Sequence, residues 1–87
     1  MAIIGGEVDQ LSALKSAFDK HASVVQELTS TLRGQLENTN WQGPTADRFR
    51  SVWSGEYEPV LRRLEQALLD AGVEVGAARD RLIQAGS

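Results

Sequence analysis

The sequence lacks cysteine, an excess of basic residues and any long apolar run. Without cysteine among its 87 residues, the chain can form neither a disulfide framework nor a reactive thiolate. Acidic residues outnumber basic ones, 12 to 9, for a net charge of -3, and that balance disfavours contact with nucleic-acid phosphates. No apolar segment is long enough to span a bilayer. We therefore expect no disulfide scaffold, no nucleic-acid partner and no stable membrane insertion.

The N-terminal residues and the length of the chain limit its organisation. The opening MAIIGG has no basic segment and few apolar residues, so we expect no signal peptide of the general secretory route. The 87 residues predict a single domain, 1–87. A chain this short buries a smaller share of its surface than a typical enzyme does, which predicts that it needs a partner.

Apolar residues in the first half recur every seven positions, as in a left-handed helical seam. The repeat has two apolar positions, one holding Leu11, Phe18, Val25 and Leu32 and the other holding Leu14 and Leu28. The same repeat places the polar residues His21 and Gln35 on the seam. Glu7 and Asp9 suit the positive end of a helix, with Gly6 as its cap. The pattern predicts a helix from about residue 7 to about residue 38.

A second amphipathic helix is predicted from about residue 45 to about residue 84. Its apolar residues recur three or four positions apart and include Ala46, Phe49, Trp53, Tyr57, Val60, Leu64, Ala67, Ala71, Val75, Ala78 and Leu82. Gly43 can cap this helix, and Pro44 suits its first turn. Glu58 and Arg62 have the spacing of an ion pair on one helix.

Two features disturb the second helix. Pro59 removes one hydrogen bond and crowds the carbonyl of Gly55, so we expect a kink at 55–59, with a break into two helices as the alternative. Gly72 and Gly76 lower helix propensity and predict a C-terminal segment that is frayed or easily remodelled by a partner.

Together these elements predict an all-α antiparallel hairpin of two helices, with a bend at 39–44, that dimerises into a four-helix bundle. A hairpin alone cannot bury both apolar stripes. The residues expected to pack within or between hairpins are Leu14, Phe18, His21, Val25, Leu28, Leu32, Phe49, Trp53, Val60 and Leu64. The sequence does not apportion them between the two interfaces.

No catalytic or cofactor site is expected. His21 is the only histidine, and the residues one helical turn away, Ala17, Phe18, Val24 and Val25, cannot bind a metal. The carboxylates do not converge with a nucleophile or base at a recognisable spacing. We therefore predict no metal, no cofactor and no enzymatic activity.

The bend carries a resemblance to a known family. Trp41-Gln42-Gly43 lies between two helical segments, and the aromatic Phe49 follows the tryptophan by eight positions. This arrangement resembles the Trp-x-Gly helical-hairpin family of small type VII (ESX) secretion proteins, and GPTADRFRSVW is similar to actinobacterial versions. The resemblance covers nearly the whole chain.

The resemblance implies a homodimer or heterodimer, exported folded by a membrane-embedded ATPase without a signal peptide after residence in the cytoplasm. It also implies a Tyr-x-x-x-Asp/Glu tail signal. This chain lacks one, because Tyr57 lies within the second helix and is followed four positions later by Leu61. Three explanations for the missing signal stay open: a partner supplies it, the tail that carried it has been removed, or export does not depend on this subunit.

The functional expectation is a secreted type VII substrate that acts by protein–protein contact. Its partner is itself or another Trp-x-Gly hairpin protein. Trp41 and Gly43 either close the end of the bundle or belong to a surface that recognises the partner's tail. Two alternatives stay open: a helper subunit for a larger type VII effector or toxin, and a membrane-active amphipathic protein.

Overall fold

The computed structural model describes residues 2–86, and this part of the chain is helical except at one bend. Helix α1 covers Ala2–Asn38, α2 covers Pro44–Val52, a π-helical turn covers Trp53–Tyr57, and α3 covers Glu58–Gly86. No strand occurs within residues 2–86. The prediction of an all-α protein is confirmed.

Helix α1 begins earlier than the sequence predicts. It includes Ala2 and runs through Gly6, so Gly6 is not its cap and neither Glu7 nor Asp9 lies in its first turn. A glycine inside a helix costs about 1 kcal/mol relative to alanine but does not end the helix. The predicted start at residue 7 is therefore wrong.

The bend spans residues 39–43, and α2 begins at Pro44. Gly43 precedes this helix with φ 108° and ψ 175°, a backbone conformation that side chains with a Cβ rarely adopt. Its carbonyl accepts a hydrogen bond from the Asp47 amide at 3.0 Å. The predicted roles of Gly43 as cap and Pro44 as first-turn residue are confirmed.

Pro59 is accommodated by a π-helical turn, and the helix does not break. The Glu58 amide donates to the carbonyl of Trp53, five residues back, and helical backbone continues from Pro44 to Gly86. The π turn takes up one extra residue just before the proline, whose ring cannot fit an unmodified α-helix. The irregularity lies at 53–57, slightly before the predicted kink at 55–59.

Helices α1 and α3 pack side by side in opposite directions. Arg33 near the end of α1 meets Glu58 at the start of α3, while Ser12 near the start of α1 meets Arg79 near the end of α3 at 3.4 Å. The Cα trace measures 65 × 17 × 12 Å. The pair is therefore two helices wide and little more than one helix thick.

Small side chains line the contact between the two helices. Ala22, Val25 and Thr29 are buried on α1, and the Thr29 hydroxyl donates to the Val25 carbonyl at 2.7 Å. Nearer the start of α1, opposite Lys15, Phe18 and Asp19, α3 buries Gly72 and Gly76. These glycines belong to an intact helix packed against α1, which is not the frayed segment that their helix propensity predicts.

Close approach explains why glycine occupies these positions. A Cβ at Gly72 would lie 2.8 Å from Asp19 Oδ1, and one at Gly76 would lie 3.0 Å from Lys15 Cδ. Lys15 and Asp19 form an ion pair at 2.9 Å. This pair of side chains therefore lies over the two glycines and fills the space that larger residues would need.

Candidate interaction surface

A charged cluster fixes the start of α3 against α1. The Glu58 carboxylate accepts hydrogen bonds from Arg33 Nε at 2.8 Å, Arg62 at 2.8 Å and the Trp53 indole at 3.1 Å. The bond from Arg33 is the largest influence on this group and, with Arg62 and Trp53, lowers the pKa of Glu58 to about 2 although burial opposes the shift. The Glu58–Arg62 ion pair predicted from spacing is confirmed.

Arg50 holds the bend. Its guanidinium donates to the carbonyls of Trp41 at 2.7 Å, Thr39 at 3.1 Å and Leu36 at 3.4 Å. These carbonyls lie at and beyond the end of α1, where backbone acceptors lack helical partners and a cation is favourable. The guanidinium thus fixes the direction in which the chain enters α2.

The aromatic residues of the bend lie at the surface. Trp41 and Phe49 contact each other with ring centroids 5.7 Å apart, yet they remain 38% and 40% exposed, and Tyr57 is 50% exposed. These three rings, with Thr45, Arg48 and Val52, line a groove of about 240 Å³. Trp41 therefore does not lie between the helices of a single chain.

The apolar stripe predicted on α1 is largely exposed. Leu14, Leu28 and Leu32 are exposed, as is His21. Val24, Leu28 and Leu32 line a shallow groove of about 500 Å³ together with Glu27 and Thr31. The neighbouring predicted residues Phe18 and Val25 are half-buried and buried, respectively.

The first part of the predicted stripe on α3 is also exposed. Val60 and Leu64 are 51% and 46% exposed. Farther along the helix, Ala67 is exposed and Ala71 and Leu82 are half-buried. Both long helices thus leave apolar side chains without a partner in this chain.

The two exposed stripes lie on the same side of the helix pair. Ser30 of α1 and Arg62 of α3 line one polar groove, so both point to one side of the pair. Two residues along an α-helix correspond to a rotation of about 200°. Leu28 and Val60, each two residues earlier, therefore both point to the opposite side.

The π turn brings the aromatic groove into line with this side. Trp53 and Glu58 are five positions apart and joined by a hydrogen bond, so both lie toward α1, whereas Tyr57 between them is exposed. An uninterrupted α-helix would place Tyr57, four residues after Trp53, close to the same face as Trp53. Tyr57 lies three residues before Val60, and residues three apart are neighbours on one side of a helix. We call the surface formed by the two stripes and the aromatic groove the apolar face. Its residues are Leu14, His21, Leu28, Leu32, Trp41, Phe49, Tyr57, Val60 and Leu64.

The structure separates the predicted packing residues into two groups. Val25, Phe18 and Trp53 contribute to the contact inside the pair, and the other predicted residues belong to the apolar face. Sequence periodicity did not identify Arg33 as a partner of Glu58 or Arg50 as the residue that holds the bend. Hydrogen bonds that join distant positions, such as the 25 positions between Arg33 and Glu58, leave no periodic signal in the sequence.

Other site types find no support in the described part of the chain. Within residues 2–86 no group of three or more histidine, aspartate or glutamate side chains is arranged to hold a metal ion. In the same range no helix combines the length and apolarity needed to cross a membrane.

A comparison with known proteins finds a distant relative. The chain is 39% identical over 62 residues to a protein named "Nucleoid-associated protein SYNW0027" from Parasynechococcus marenigrum (strain WH8102). The match covers 70% of this chain and 54% of the relative, so the chain spans about half the length of the curated relative it matches. No family model matches the chain, and no solved structure matches it either.

Proposed function

We propose that this chain is a small, non-enzymatic substrate of a type VII (ESX) secretion system that pairs with another Trp-x-Gly hairpin and acts by protein–protein contact. The single observation that carries the proposal is the apolar face. A pair of helices little more than one helix thick leaves a long row of apolar side chains in water, and stable domains cover such a row with a second layer.

A four-helix bundle is the arrangement that covers this face most directly. Two antiparallel helical pairs can stack so that their apolar sides form one common core. The bend Trp41-Gln42-Gly43 between two helices is the feature by which this chain resembles the Trp-x-Gly proteins of type VII secretion. In this proposal the export ATPase recognises the assembled bundle.

Trp41 has a defined place in this proposal. Its ring and Phe49 form the exposed aromatic end of the apolar face, while Arg50 fixes the backbone carbonyl of the same residue. The ring is thus presented outward on a bend that is held independently of it. Such a ring can contact a partner without being required for the pairing of α1 with α3.

The test is an export assay in the source cell with the type VII ATPase present or deleted. The wild-type chain should appear outside the cell only when the ATPase is present. Trp41→Ala should stay helical and inside the cell, whereas Gln42→Ala, in the same bend, should be exported. Export that is unaffected by loss of the ATPase would refute the proposal.

A second candidate function is association with the nucleoid through contact with DNA, favoured by the name of the relative. The net charge of -3 weighs against it, since DNA binding relies on cations that neutralise phosphates. Arg33 and Arg62 are already paired with Glu58. Fluorescence anisotropy with a labelled duplex at low salt distinguishes the two: salt-sensitive binding at micromolar protein would favour DNA contact.

A further inference from the structure

We propose that the side of the helix pair opposite the apolar face holds a docking site for a helix of another polypeptide, one that carries an acidic residue between two basic residues, each one helical turn away. This inference goes beyond the proposed function, because it concerns a different surface from the one through which two hairpins pair. The site is a groove between α1 and α3, here called the polar groove. It is lined by Gln26, Ser30, Arg33, Glu37, Arg62 and Glu65.

The polar groove is long enough to hold about two to three turns of a helix. A first hollow of about 230 Å³ lies between Ser30 of α1 and Arg62 of α3. Arg33 lines this hollow and also a second one of about 190 Å³, which continues past Glu37 toward the bend. From Gln26 to Glu37 the rim of α1 extends over roughly 16 Å, at about 1.5 Å per residue. Its lining residues recur three or four positions apart, the interval at which a helix lying along the groove repeats its own side chains.

The centre of the polar groove is a pair of arginines that one buried carboxylate holds in place. Glu58 accepts from Arg33 Nε and from Arg62 Nη2, both at 2.8 Å. The two guanidinium groups make no other hydrogen bond within residues 2–86, so Arg33 keeps both of its terminal nitrogens as the parallel donors that a carboxylate accepts. Two guanidinium groups and one carboxylate leave one net positive charge. This centre therefore suits one incoming carboxylate.

A negative charge lies on either side of this centre. Glu65 follows Arg62 by three positions on α3, and Glu37 follows Arg33 by four positions on α1, each about one helical turn away. Because the two helices run in opposite directions, Glu37 lies toward the bend from the centre and Glu65 lies away from it. The order of charges along the polar groove is therefore negative, positive, negative.

This order decides which partner the groove fits. A polyanion would meet both glutamates, and a wholly basic segment would meet both arginines. A helix with a basic, an acidic and a basic residue at intervals of four positions places its carboxylate at the arginines and its two cations at Glu37 and Glu65, so all three charges find an opposite charge. Exposed ion pairs are individually weak, so binding at this site should be weak, sensitive to salt and specific for the order of charges.

The experiment adds a synthetic helix to the wild-type protein. The probe is an alanine-rich peptide of about 16 residues with lysine, glutamate and lysine at successive intervals of four positions. Backbone amide shifts of the nitrogen-15-labelled protein at low salt should concentrate at residues 26–37 and 58–65. They should vanish at about 1 M salt, where the screening length falls to about 3 Å.

Two further peptides test whether the order of charges matters. One has the reversed order, glutamate, lysine and glutamate, and the other has glutamate at all three positions. Neither should shift these amides of the wild-type protein. This comparison uses no variant protein, so it does not depend on how a substitution affects folding.

A charge exchange on the protein tests the match from the other side. Glu37→Lys with Glu65→Lys makes both flanks positive and leaves the central arginines and Glu58 in place. The variant should lose the response to the lysine-glutamate-lysine peptide and gain a response to the peptide with three glutamates. The matched control, Glu7→Lys with Glu74→Lys, makes the same change in net charge at two exposed positions outside the groove and should respond like the wild type.

Three results would overturn the inference. Equal shifts from all three peptides would mean that the groove does not distinguish the order of charges. Shifts confined to the apolar face would place the contact on the other side of the molecule. A wild-type protein that shows no shift at about 1 mM peptide has no site of this kind. None of these results bears on export, which the ATPase deletion tests separately.

Discussion

Arg33 Nε lies 2.8 Å from Glu58 Oε1, joining the last turns of α1 to the first residue of α3 across 25 positions of sequence. Glu58 is buried and also accepts from Trp53 and Arg62. The π turn makes the contact with Trp53 possible. Because its turn is wider than that of an α-helix, it brings Trp53 and Glu58, five residues apart, to the same side of the helix. One carboxylate therefore links the helix pairing to the irregular turn.

Acid should destabilise the protein through Glu58. Hydrogen bonds, first from Arg33, lower the pKa of Glu58 from 4.5 to about 2. A carboxyl with a depressed folded-state pKa contributes stability above its ordinary pKa and loses it as the pH falls through the folded-state value. The contribution should therefore be complete above about pH 5 and disappear toward pH 2.

Glu58→Gln isolates this contribution. At pH 7 its melting temperature should be below that of the wild type, and the difference should shrink as the pH falls from about 5 to about 2. Glu74→Gln, an exposed position on α3, serves as the control and should melt like the wild type. A difference between Glu58→Gln and wild type that stays constant over this pH range would contradict the assignment.

Two glycines in helices should respond differently to substitution by alanine. Gly34→Ala introduces a Cβ with no atom within 4 Å and should raise the free energy of unfolding by about 0.5–1 kcal/mol. At Gly72 the new Cβ would lie 2.8 Å from Asp19 Oδ1, so the Asp19 side chain, whose other carboxylate oxygen pairs with Lys15, must move.

Urea unfolding followed by circular dichroism measures both variants. Gly72→Ala should gain less than Gly34→Ala, and Gly72→Leu should be strongly destabilised, because the larger side chain forces α1 and α3 apart. Equal stabilisation by alanine at both positions would mean that α3 does not approach α1 closely at Gly72.

Arg50 should be more important for stability than its neighbour Arg48. Arg50→Ala removes the donors to three carbonyls at the end of α1 and in the bend and should lower the free energy of unfolding by about 1–2 kcal/mol. Arg48 lines the aromatic groove, so Arg48→Ala should have little effect on unfolding. Thermal melts of the two variants at equal concentration decide this prediction; equal losses would refute it.

The sequence predicted the helices well but did not identify the surface along which they meet. Hydrophobic periodicity located the stripes of Leu28 and Leu64, and Gly43 and Pro44 marked the start of α2. The contact inside the pair uses Ala22, Thr29 and Gly72, which are small or polar and contribute little to an apolar pattern. The most visible apolar residues are therefore those that remain exposed in a single chain.

The π turn illustrates the limit of local reasoning. The conflict between Pro59 and the carbonyl of Gly55 could be recognised from the sequence. The π turn that accommodates this conflict ends at Glu58, and Glu58 is hydrogen-bonded to Arg33 of another helix. Sequence spacing could therefore locate the irregularity within a few residues but could not specify its form.

The most direct test of the account is the solution mass of the wild-type chain, measured by light scattering after gel filtration over a range of concentrations. Leu28→Asp and Ser30→Asp, on opposite sides of α1, are measured alongside. We predict about 19 kDa, twice the 9.5 kDa of the chain, for the wild type and Ser30→Asp, and loss of that species for Leu28→Asp. A helical wild-type monomer, or a dimer that Leu28→Asp leaves intact, would contradict the claim that two hairpins pair through the apolar face.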